Sequence, residues 1–303
     1  FSSVRAVTLL TAEPFDARPG RQVEHVSHPS PPRRPEGPRL ALPDHLKQLA
    51  ARVSNTGRWG TDDQRGTLNL IDAAAVLRGV TAARQGRPFS LAIPYDEDGP
   101  QTGAIPGRTN PERRMLAVNQ PYTGDPADFC SNDDALTMGV QAATHWDALA
   151  HVSYEGRLYN GVDAAVIDER GAARLGIENV GPVVTRGVLA DVARLHGVDH
   201  LDGGYAISGD DLDAALARAG VTVEPGDALL VRTGQMHHLR AGHRGRYGRD
   251  AAGLSTRSVE WLHQHDVAAV ATDTVALEVW PLEDPAVMLP VHLLQLVDMG
   301  LAQ

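Results

Sequence analysis

Near the middle of the chain the sequence reads Gln141-Ala-Ala-Thr-His-Trp-Asp-Ala-Leu-Ala-His151. The stretch holds two imidazoles and one carboxylate among small and apolar neighbours. His145 and Asp147 are two positions apart, so both side chains leave the same face if the backbone is an extended strand. A neutral imidazole and an ionised carboxylate that converge on one point are suitable ligands for a divalent metal ion. His151 follows one helical turn after Asp147, close enough to reach a metal-bound water without being a ligand.

A structural explanation of the same residues is a strand-to-helix junction whose polar side chains cap and hydrogen-bond locally. Polar side chains in Ala-rich, apolar surroundings need partners, however, because an unpaired buried polar group is costly. Three such groups at this spacing therefore favour a functional site over a local capping arrangement.

The stretch resembles the signature of the cyclase family, the group that includes bacterial kynurenine formamidase and isatin hydrolase. That signature reads His-x-Gly-Thr-His-x-Asp-x-Pro-x-His. Four of its fixed positions are matched here by Thr144, His145, Asp147 and His151. Three fixed positions differ, with Gln141 in place of the first His, Ala143 in place of Gly and Leu149 in place of Pro.

The resemblance covers about residues 55 to 300 and implies a mixed α/β protein. The family's fold is a swivelling β/β/α fold, with a β-rich core and peripheral helices. The resemblance also implies a homodimer or homotetramer that acts on a small-molecule substrate. We therefore expect a single cyclase-like catalytic domain over residues 41–303.

The implied reaction is metal-dependent hydrolysis of a carbon–nitrogen bond in a cyclic or aryl amide, such as a formamide or lactam, or of a lactone. In the implied site, His145 and Asp147 hold Zn²⁺ or Mn²⁺ with His292 as a further ligand. The metal lowers the pKa of a bound water and polarises the scissile carbonyl. His151, with an ordinary pKa of about 6.5, accepts the proton and returns it to the leaving nitrogen.

Gln141 is the main departure from this scheme. An amide oxygen carries no charge and is a weaker ligand than imidazole, so Gln141 should lower the affinity for zinc. The family also places a metal-binding Glu about a dozen residues after the His that corresponds to His292, and the given sequence reaches Gln303 without one. These two departures favour one bound ion rather than two.

Two other functions stay open. The chain could be a metal-poor or metal-free cyclase or dehydratase of a natural-product intermediate, in which His145, Asp147 and His151 transfer protons. It could also be a non-catalytic binding protein that keeps the pocket as a scaffold.

The predicted substrate pocket includes Thr144 and Trp146 from the motif, and Trp59 from an earlier segment. Trp59 lies in Gly57–Asn69, a turn-rich and polar segment that is similar to one near the active site of longer cyclase-family members. Its ring could form an aromatic wall for a planar substrate, or it could attach the loop to the core.

Composition excludes several other classes of protein. The formal net charge of −10 argues against a nucleic-acid partner and against an anionic membrane surface. Cys130 is the only cysteine in the chain, so neither an internal disulfide nor a thiolate metal cluster can form. The sequence shows no secretory signal and no apolar run long enough to span a bilayer, which makes a cytoplasmic protein the expectation.

Hydrophobic periodicity, together with the positions of proline, glycine and capping residues, predicts the remaining helices and strands. Residues 1–40 are rich in Pro, Arg and Ser and are predicted to be an extended or flexible arm. Predicted helices cover Leu42–Val53, Leu70–Gln85, Ser208–Gly220, Ser255–His265 and a segment that starts at Pro290. Predicted strands cover Phe89–Tyr95, Arg114–Val118, Ala228–Arg232 and Val267–Thr274, and Asp125–Asp134 is predicted to be a polar connection.

The other histidines receive structural interpretations. Gln235–Arg246 contains three histidines at a spacing that matches no standard metal site, so a solvated loop is predicted, with a basic lid as the alternative. His196 and His200 flank the end of a predicted short helix, where the helix dipole favours an imidazole. His292 lies near a helix N-terminus, where the dipole keeps an imidazole neutral and able to bind metal.

Overall fold

The computed structural model describes residues 42–303, and the arm predicted for residues 1–40 lies outside this range. Its strands, in chain order, are β1 (Glu112–Pro121), β2 (Cys130–Thr137), β3 (Ile167–Asp168), β4 (Gly171–Ala172), β5 (Gly187–Asp191), β6 (Ala206–Ile207), β7 (Ala228–Arg232), β8 (Gly253–Leu254) and β9 (Ala269–Thr272). Its α-helices are α1 (Asp44–Val53), α2 (Ala73–Ala82), α3 (Val192–Leu195), α4 (Gly209–Ala219), α5 (Met236–Arg240), α6 (Arg244–Tyr247), α7 (Thr256–Gln264) and α8 (Pro290–His292), and α8 continues as a π-helix over Leu293–Met299.

The centre of the molecule is a parallel sheet in the order β5-β7-β9. Val188 pairs with Leu229, which in turn pairs with Val270, and all three side chains are buried. Apolar residues of α1, α4 and α7 belong to the same core cluster as these strands. A sheet covered by helices explains why β7 is a continuous apolar run rather than an alternating one. The strand predicted at Ala228–Arg232 is confirmed with the same bounds.

Helix α4 shows how local signals fix an element of the core. The Ser208 side chain accepts a hydrogen bond from Asp211 N at 3.3 Å, and Asp211 Oδ2 accepts one from Ser208 N at 2.8 Å. This reciprocal arrangement satisfies two backbone donors at the helix start. Gly220 ends the helix with φ +66°, a left-handed conformation that glycine adopts without strain. The helix predicted from Ser208 to Gly220 is therefore confirmed.

The predicted strand at Phe89–Tyr95 is wrong. The segment is irregular and largely exposed, and it pairs with no strand in the described part of the chain. Its backbone instead meets the motif, because Ile93 N donates to Thr144 Oγ1 at 2.8 Å. Apolar content alone suggested the strand, and apolar content does not provide the neighbouring strand that a ladder requires.

The strand predicted at Arg114–Val118 is present as the longer β1, and it pairs with β2 in an antiparallel hairpin. Asp125–Asp134 was predicted to be a connection throughout, but β2 already begins at Cys130. Exposed apolar side chains of this hairpin include Leu116, which is 54% exposed, and Val118, which is 62% exposed. The predicted helix Leu70–Gln85 is shorter as α2, because the Asp72 carboxylate accepts from Ala75 N and starts the helix there.

A glycine junction joins the segment before α2 to the end of the π-helix. Gly66 has φ +58° and Gly300 has φ +62°. A Cβ on Gly66 would overlap the carbonyl group of Gly300, and a Cβ on Gly300 would overlap the ring of Tyr159. Thr67 N donates a hydrogen bond to Gly300 O at 2.9 Å, which stabilises this contact. The backbones approach closely because neither position carries a side chain.

Among the described residues, none of the helices combines the length and the apolar composition that crossing a membrane requires.

Candidate active site

The motif from Gln141 to His151 is irregular in the structure and contains neither the strand nor the helix that its spacing suggested. Backbone hydrogen bonds hold it against more distant segments. Asp147 N donates to Gln303 O at 2.8 Å, and Ala150 N donates to Leu175 O at 3.1 Å. The motif is thus fixed by long-range contacts, and these contacts position its side chains.

The carboxylate of Asp147 lies at the centre of the site. Its Oδ1 atom is 3.4 Å from His145 Nε2 and 3.8 Å from His151 Nε2. Asp147 is only 8% exposed, and Oδ1 is buried without a hydrogen-bond partner. A buried carboxylate oxygen with no donor is costly, which marks this atom as a position where a further group binds.

A backbone carbonyl group orients the ring of His145. Its Nδ1 lies 2.6 Å from Ala143 O, so Nδ1 carries the proton that is donated to this carbonyl. Nε2 then faces Asp147. A backbone carbonyl that fixes one ring nitrogen is the usual way in which a histidine is held for metal binding.

The electrostatics of the site follow from this packing. The close approach of the Asp147 carboxylate, 3.4 Å from Nε2, raises the pKa of His145 above its ordinary value, although burial opposes it. Burial raises the pKa of Asp147, but the close approach of His145 and the charges of the surrounding imidazoles outweigh it, and the net pKa is lowered. Burial lowers the pKa of His151, against the attraction of Asp147. The positive charge of Arg108, in the segment before β1, also lowers the pKa of both histidines, so this residue lies near the site.

His292 joins the site from α8. Its charge lowers the pKa of both Asp147 and His151, so His292 lies within electrostatic range of these two residues. His292 Nδ1 lies 2.6 Å from Glu278 Oε1. The same carboxylate accepts from His292 N at 3.0 Å and from Val291 N at 3.2 Å. Sequence reasoning missed Glu278, because no local pattern links it to His292.

The other predicted site residues are placed less centrally. Gln141 is half-buried in the turn that begins the motif, and its amide forms no hydrogen bond with any described residue. Trp146 is half-buried and packs against a core cluster. Thr144 is exposed, and its carbonyl accepts from Tyr95 OH at 3.2 Å. Trp59 is half-buried, with the Arg58 guanidinium 4.8 Å from its ring.

The donor types at this site suit a divalent ion, although in the described part of the chain no three of its ligand atoms all lie within 4.8 Å of one another. Asp147 Oδ1 is an orphaned oxygen, and His145 presents Nε2 to it, which gives one oxygen and one nitrogen donor. His292 adds a second imidazole whose Nδ1 is bonded to Glu278, the support that metal-binding histidines usually have. Imidazole and carboxylate ligands suit zinc and manganese.

A second group of histidines was not predicted. His200, His237 and His238 place their ring nitrogens so that one ligand atom from each lies within 4.8 Å of the others. The loop predicted at Gln235–Arg246 is in fact α5 and α6 with a short link, and His238 is buried. Three close imidazoles of this kind could bind a metal. The group could not be predicted from spacing along the sequence, because His200 comes from a different part of the chain.

Comparison with known proteins gives matches to one family and one fold. The Cyclase family model matches residues 82–279. No curated protein matches the chain. A crystal structure described as a novel cyclase is 36% identical over 82% of this chain and 85% of that chain, with a TM-score of 0.74.

Two isatin hydrolases share the fold at lower identity. Isatin hydrolase A from Labrenzia aggregata, bound to benzyl benzoate, is 16% identical over 74% of this chain and 82% of that chain, with a TM-score of 0.51. Isatin hydrolase A from Ralstonia solanacearum is 19% identical over 71% of this chain and 77% of that chain, with a TM-score of 0.50. The predicted mixed α/β fold is confirmed by these matches.

Proposed function

The chain belongs to the cyclase family, and from this premise we propose that it hydrolyses a cyclic or aryl amide, such as a formamide or lactam, or a lactone, with the help of one divalent ion. The observation that carries the proposal is the Asp147 carboxylate. Its Oδ1 is buried and receives no hydrogen bond, yet two imidazoles face it. An oxygen in this state needs a hydrogen-bond donor or a cation, and the neighbouring imidazoles favour a divalent ion.

In this proposal Asp147, His145 and His292 hold the ion. When bound, a zinc or manganese ion makes water acidic and polarises a carbonyl group. His145 is oriented by Ala143 O, and His292 is oriented by Glu278. Gln141 stays a candidate for a weak additional contact because it precedes the site in the same turn. Thr144, Trp59 and Trp146 are proposed to contact or enclose the substrate.

His151 is proposed to move the proton. Its Nε2 faces Asp147, and its side chain is 28% exposed, so both the buried carboxylate and a water from the open side can reach the ring. Burial lowers its pKa, which keeps the ring neutral and able to accept a proton at Nε2 near pH 7. The imidazolium formed there can return the proton to the leaving atom.

The His145–Asp147 pair favours a second candidate function. The raised pKa of His145 favours its protonated form beside the Asp147 carboxylate, and the lowered pKa of His151 favours the neutral form of that ring. An acid and a base placed together can catalyse a cyclisation or dehydration without a metal ion. This metal-free reaction is the alternative against which the hydrolase proposal is tested.

The test is metal content measured together with turnover on a panel of formamides, lactams and lactones. We expect at least about one zinc or manganese per chain, and hydrolysis that chelator abolishes and the added ion restores. Asp147→Asn keeps the shape of the side chain and should lower the metal content by about one equivalent and abolish the turnover. Asp168→Asn, at an exposed ion pair with Arg170, is the matched control and should change neither.

The outcomes separate the candidates. If the protein contains no metal and chelator does not change its turnover, the metal-dependent hydrolase proposal is contradicted and the acid–base alternative is supported. Ligand binding without any turnover would favour a binding protein on the same scaffold. Turnover that disappears in Asp147→Asn but not in Asp168→Asn would exclude the binding protein.

We also propose that the chain self-associates through the β1–β2 hairpin. An isolated two-stranded ribbon is only marginally stable in water. Neither strand contributes a residue to the described core clusters, and Leu116, Val118 and Leu136 are exposed on it. A second copy of the chain that covers these side chains would supply the missing packing.

A further inference from the structure

His200, His237 and His238 form a compact group of rings away from the motif that holds Asp147. The ring centroids of His200 lie 5.2 Å from His237 and 4.6 Å from His238. Those of His237 and His238 are 5.6 Å apart. One ligand nitrogen of each ring lies within 4.8 Å of the other two, a spacing that a single ion can bridge after small side-chain rotations.

Hydrogen bonds join the two segments that carry these rings. Leu201 N donates to Thr233 O at 2.9 Å, and Gln235 Nε2 donates to Leu201 O at 3.1 Å. His200 Nδ1 lies 3.2 Å from the same Leu201 carbonyl. This contact assigns the proton of His200 to Nδ1 and leaves the lone pair on Nε2 free. The three rings are therefore presented by a backbone that is already fixed.

The surroundings of the group leave its ring nitrogens open to a metal ion. In the described part of the chain, none of the three imidazoles forms an ion pair with a carboxylate, so no acidic side chain occupies a ring nitrogen. His238 is buried, and His200 is half-buried beside it. Three imidazoles with one open position form the ligand set of several catalytic zinc sites.

A cavity beside the rings provides the second observation. Its volume is about 390 Å³, and its lining includes His200, His238, Gln235 and Arg246. Gln235 is 1% exposed, and its Oε1 atom is buried without a hydrogen-bond partner. A buried amide oxygen on the wall of a polar cavity indicates a ligand that donates a hydrogen bond to it.

We propose that His200, His237 and His238 bind one Zn²⁺, and that a water in the fourth position donates a hydrogen bond to Gln235 Oε1 in the cavity. The proposal explains both the converging lone pairs and the unpartnered amide oxygen. It uses none of the residues of the Asp147 site, so either site can be present without the other.

The test separates the two sites by working in an Asp147→Asn background. The full-length variant is freed of metal with chelator and titrated with Zn²⁺, and bound zinc is measured by equilibrium dialysis with elemental analysis. We expect about one zinc per chain to remain. Adding His237→Ala should weaken this binding at least about tenfold, since even an outer partner of a metal ligand is worth about 10- to 100-fold in affinity. His237 is exposed, so its replacement leaves the core intact.

His243→Ala, in the same background, is the matched control because His243 is an exposed ring in the same segment but outside the group. It should leave zinc affinity unchanged. Co²⁺ provides a readout that does not depend on activity, through the visible absorption band of a tetrahedral site, which His237→Ala should abolish. Asp147→Asn protein that binds no zinc would overturn the proposal. So would zinc affinity that is the same with and without His237.

Discussion

The Nδ1 atom of His292 lies 2.6 Å from Oε1 of Glu278, and both side chains are buried. Glu278 also accepts hydrogen bonds from the backbone N–H groups of Val291 and His292. One carboxylate therefore orients the imidazole and caps the helix that carries it. Such shared support couples the folding of α8 to the geometry of the candidate site.

Glu278→Gln tests this coupling. The amide keeps the size of the side chain, but its NH₂ group faces donors and leaves at least one of them without an acceptor. We expect a loss of about 1–3 kcal/mol in the free energy of unfolding, measured by urea denaturation, together with weaker metal binding. Glu169→Gln, at an exposed position, should have no effect. Unchanged stability and metal affinity would remove Glu278 from both roles.

His151→Asn should lower kcat by about 10²- to 10⁴-fold while the bound metal is retained. The reason is that asparagine cannot accept the proton, whereas the proposed ligands are untouched. In the unmodified protein the rate should fall on the acidic side below pH 6.5, because burial lowers the pKa of His151 and the base must be neutral. Turnover retained in His151→Asn would exclude this residue as the base.

Asp298→Asn should stabilise the protein at neutral pH. Burial raises the pKa of Asp298 to about 6 from its ordinary value of 3.8, although a hydrogen bond from Tyr154 opposes the rise. Because its folded pKa is the higher one, the contribution of Asp298 to stability is greatest below pH 3.8, falls as the pH rises to about 6, and stays at the lower level above it. The amide avoids this loss, so we expect a gain of up to about 3 kcal/mol at pH 8 that disappears near pH 4.

Thermal or urea unfolding at several pH values would measure the difference between Asp298→Asn and the unmodified chain. Asp128→Asn, on an exposed loop, is the control and should show no pH-dependent gain. A difference that does not vary with pH would show that the carboxylate of Asp298 titrates alike in the folded and unfolded states.

Glutamate at both Leu116 and Val118 should convert the assembly to monomers. The two charges would lie where the proposed interface buries apolar surface, and desolvating them would be too costly for association. Light scattering after size-exclusion chromatography would give the mass. Leu77→Glu on α2 is the control, since Leu77 is 64% exposed but lies outside the hairpin. An identical mass for all three proteins would contradict an interface at β1–β2.

The elements that the sequence predicted best are those with signals in consecutive residues. Ser208, two acidic residues and Gly220 define α4, and an apolar run after Pro225-Gly-Asp defines β7. The same reasoning failed at Phe89–Tyr95, because a strand also needs a partner and the partner is not encoded nearby. The polar residues of β2 gave no strand signal either, since both faces of that hairpin are exposed.

The candidate site was predictable to a similar extent. His145, Asp147 and His151 are close in sequence, and the resemblance to a family added His292. Glu278 could not be found this way, because its contact with His292 depends on how the segment after β9 packs against α8. His200 meets His237 and His238 for the same reason. In both cases the tertiary fold, rather than spacing along the chain, makes the contact.

The close contact between Gly66 and Gly300 limits how the chain can be recombined with relatives. The carbonyl group of Gly300 occupies the space that a side chain on Gly66 would need, and the ring of Tyr159 occupies the space that a side chain on Gly300 would need. A chimera that takes its last segment from another family member must therefore take the loop around Gly66 from the same parent. Exchanges that keep these three positions together should fold, and those that separate them should yield insoluble protein.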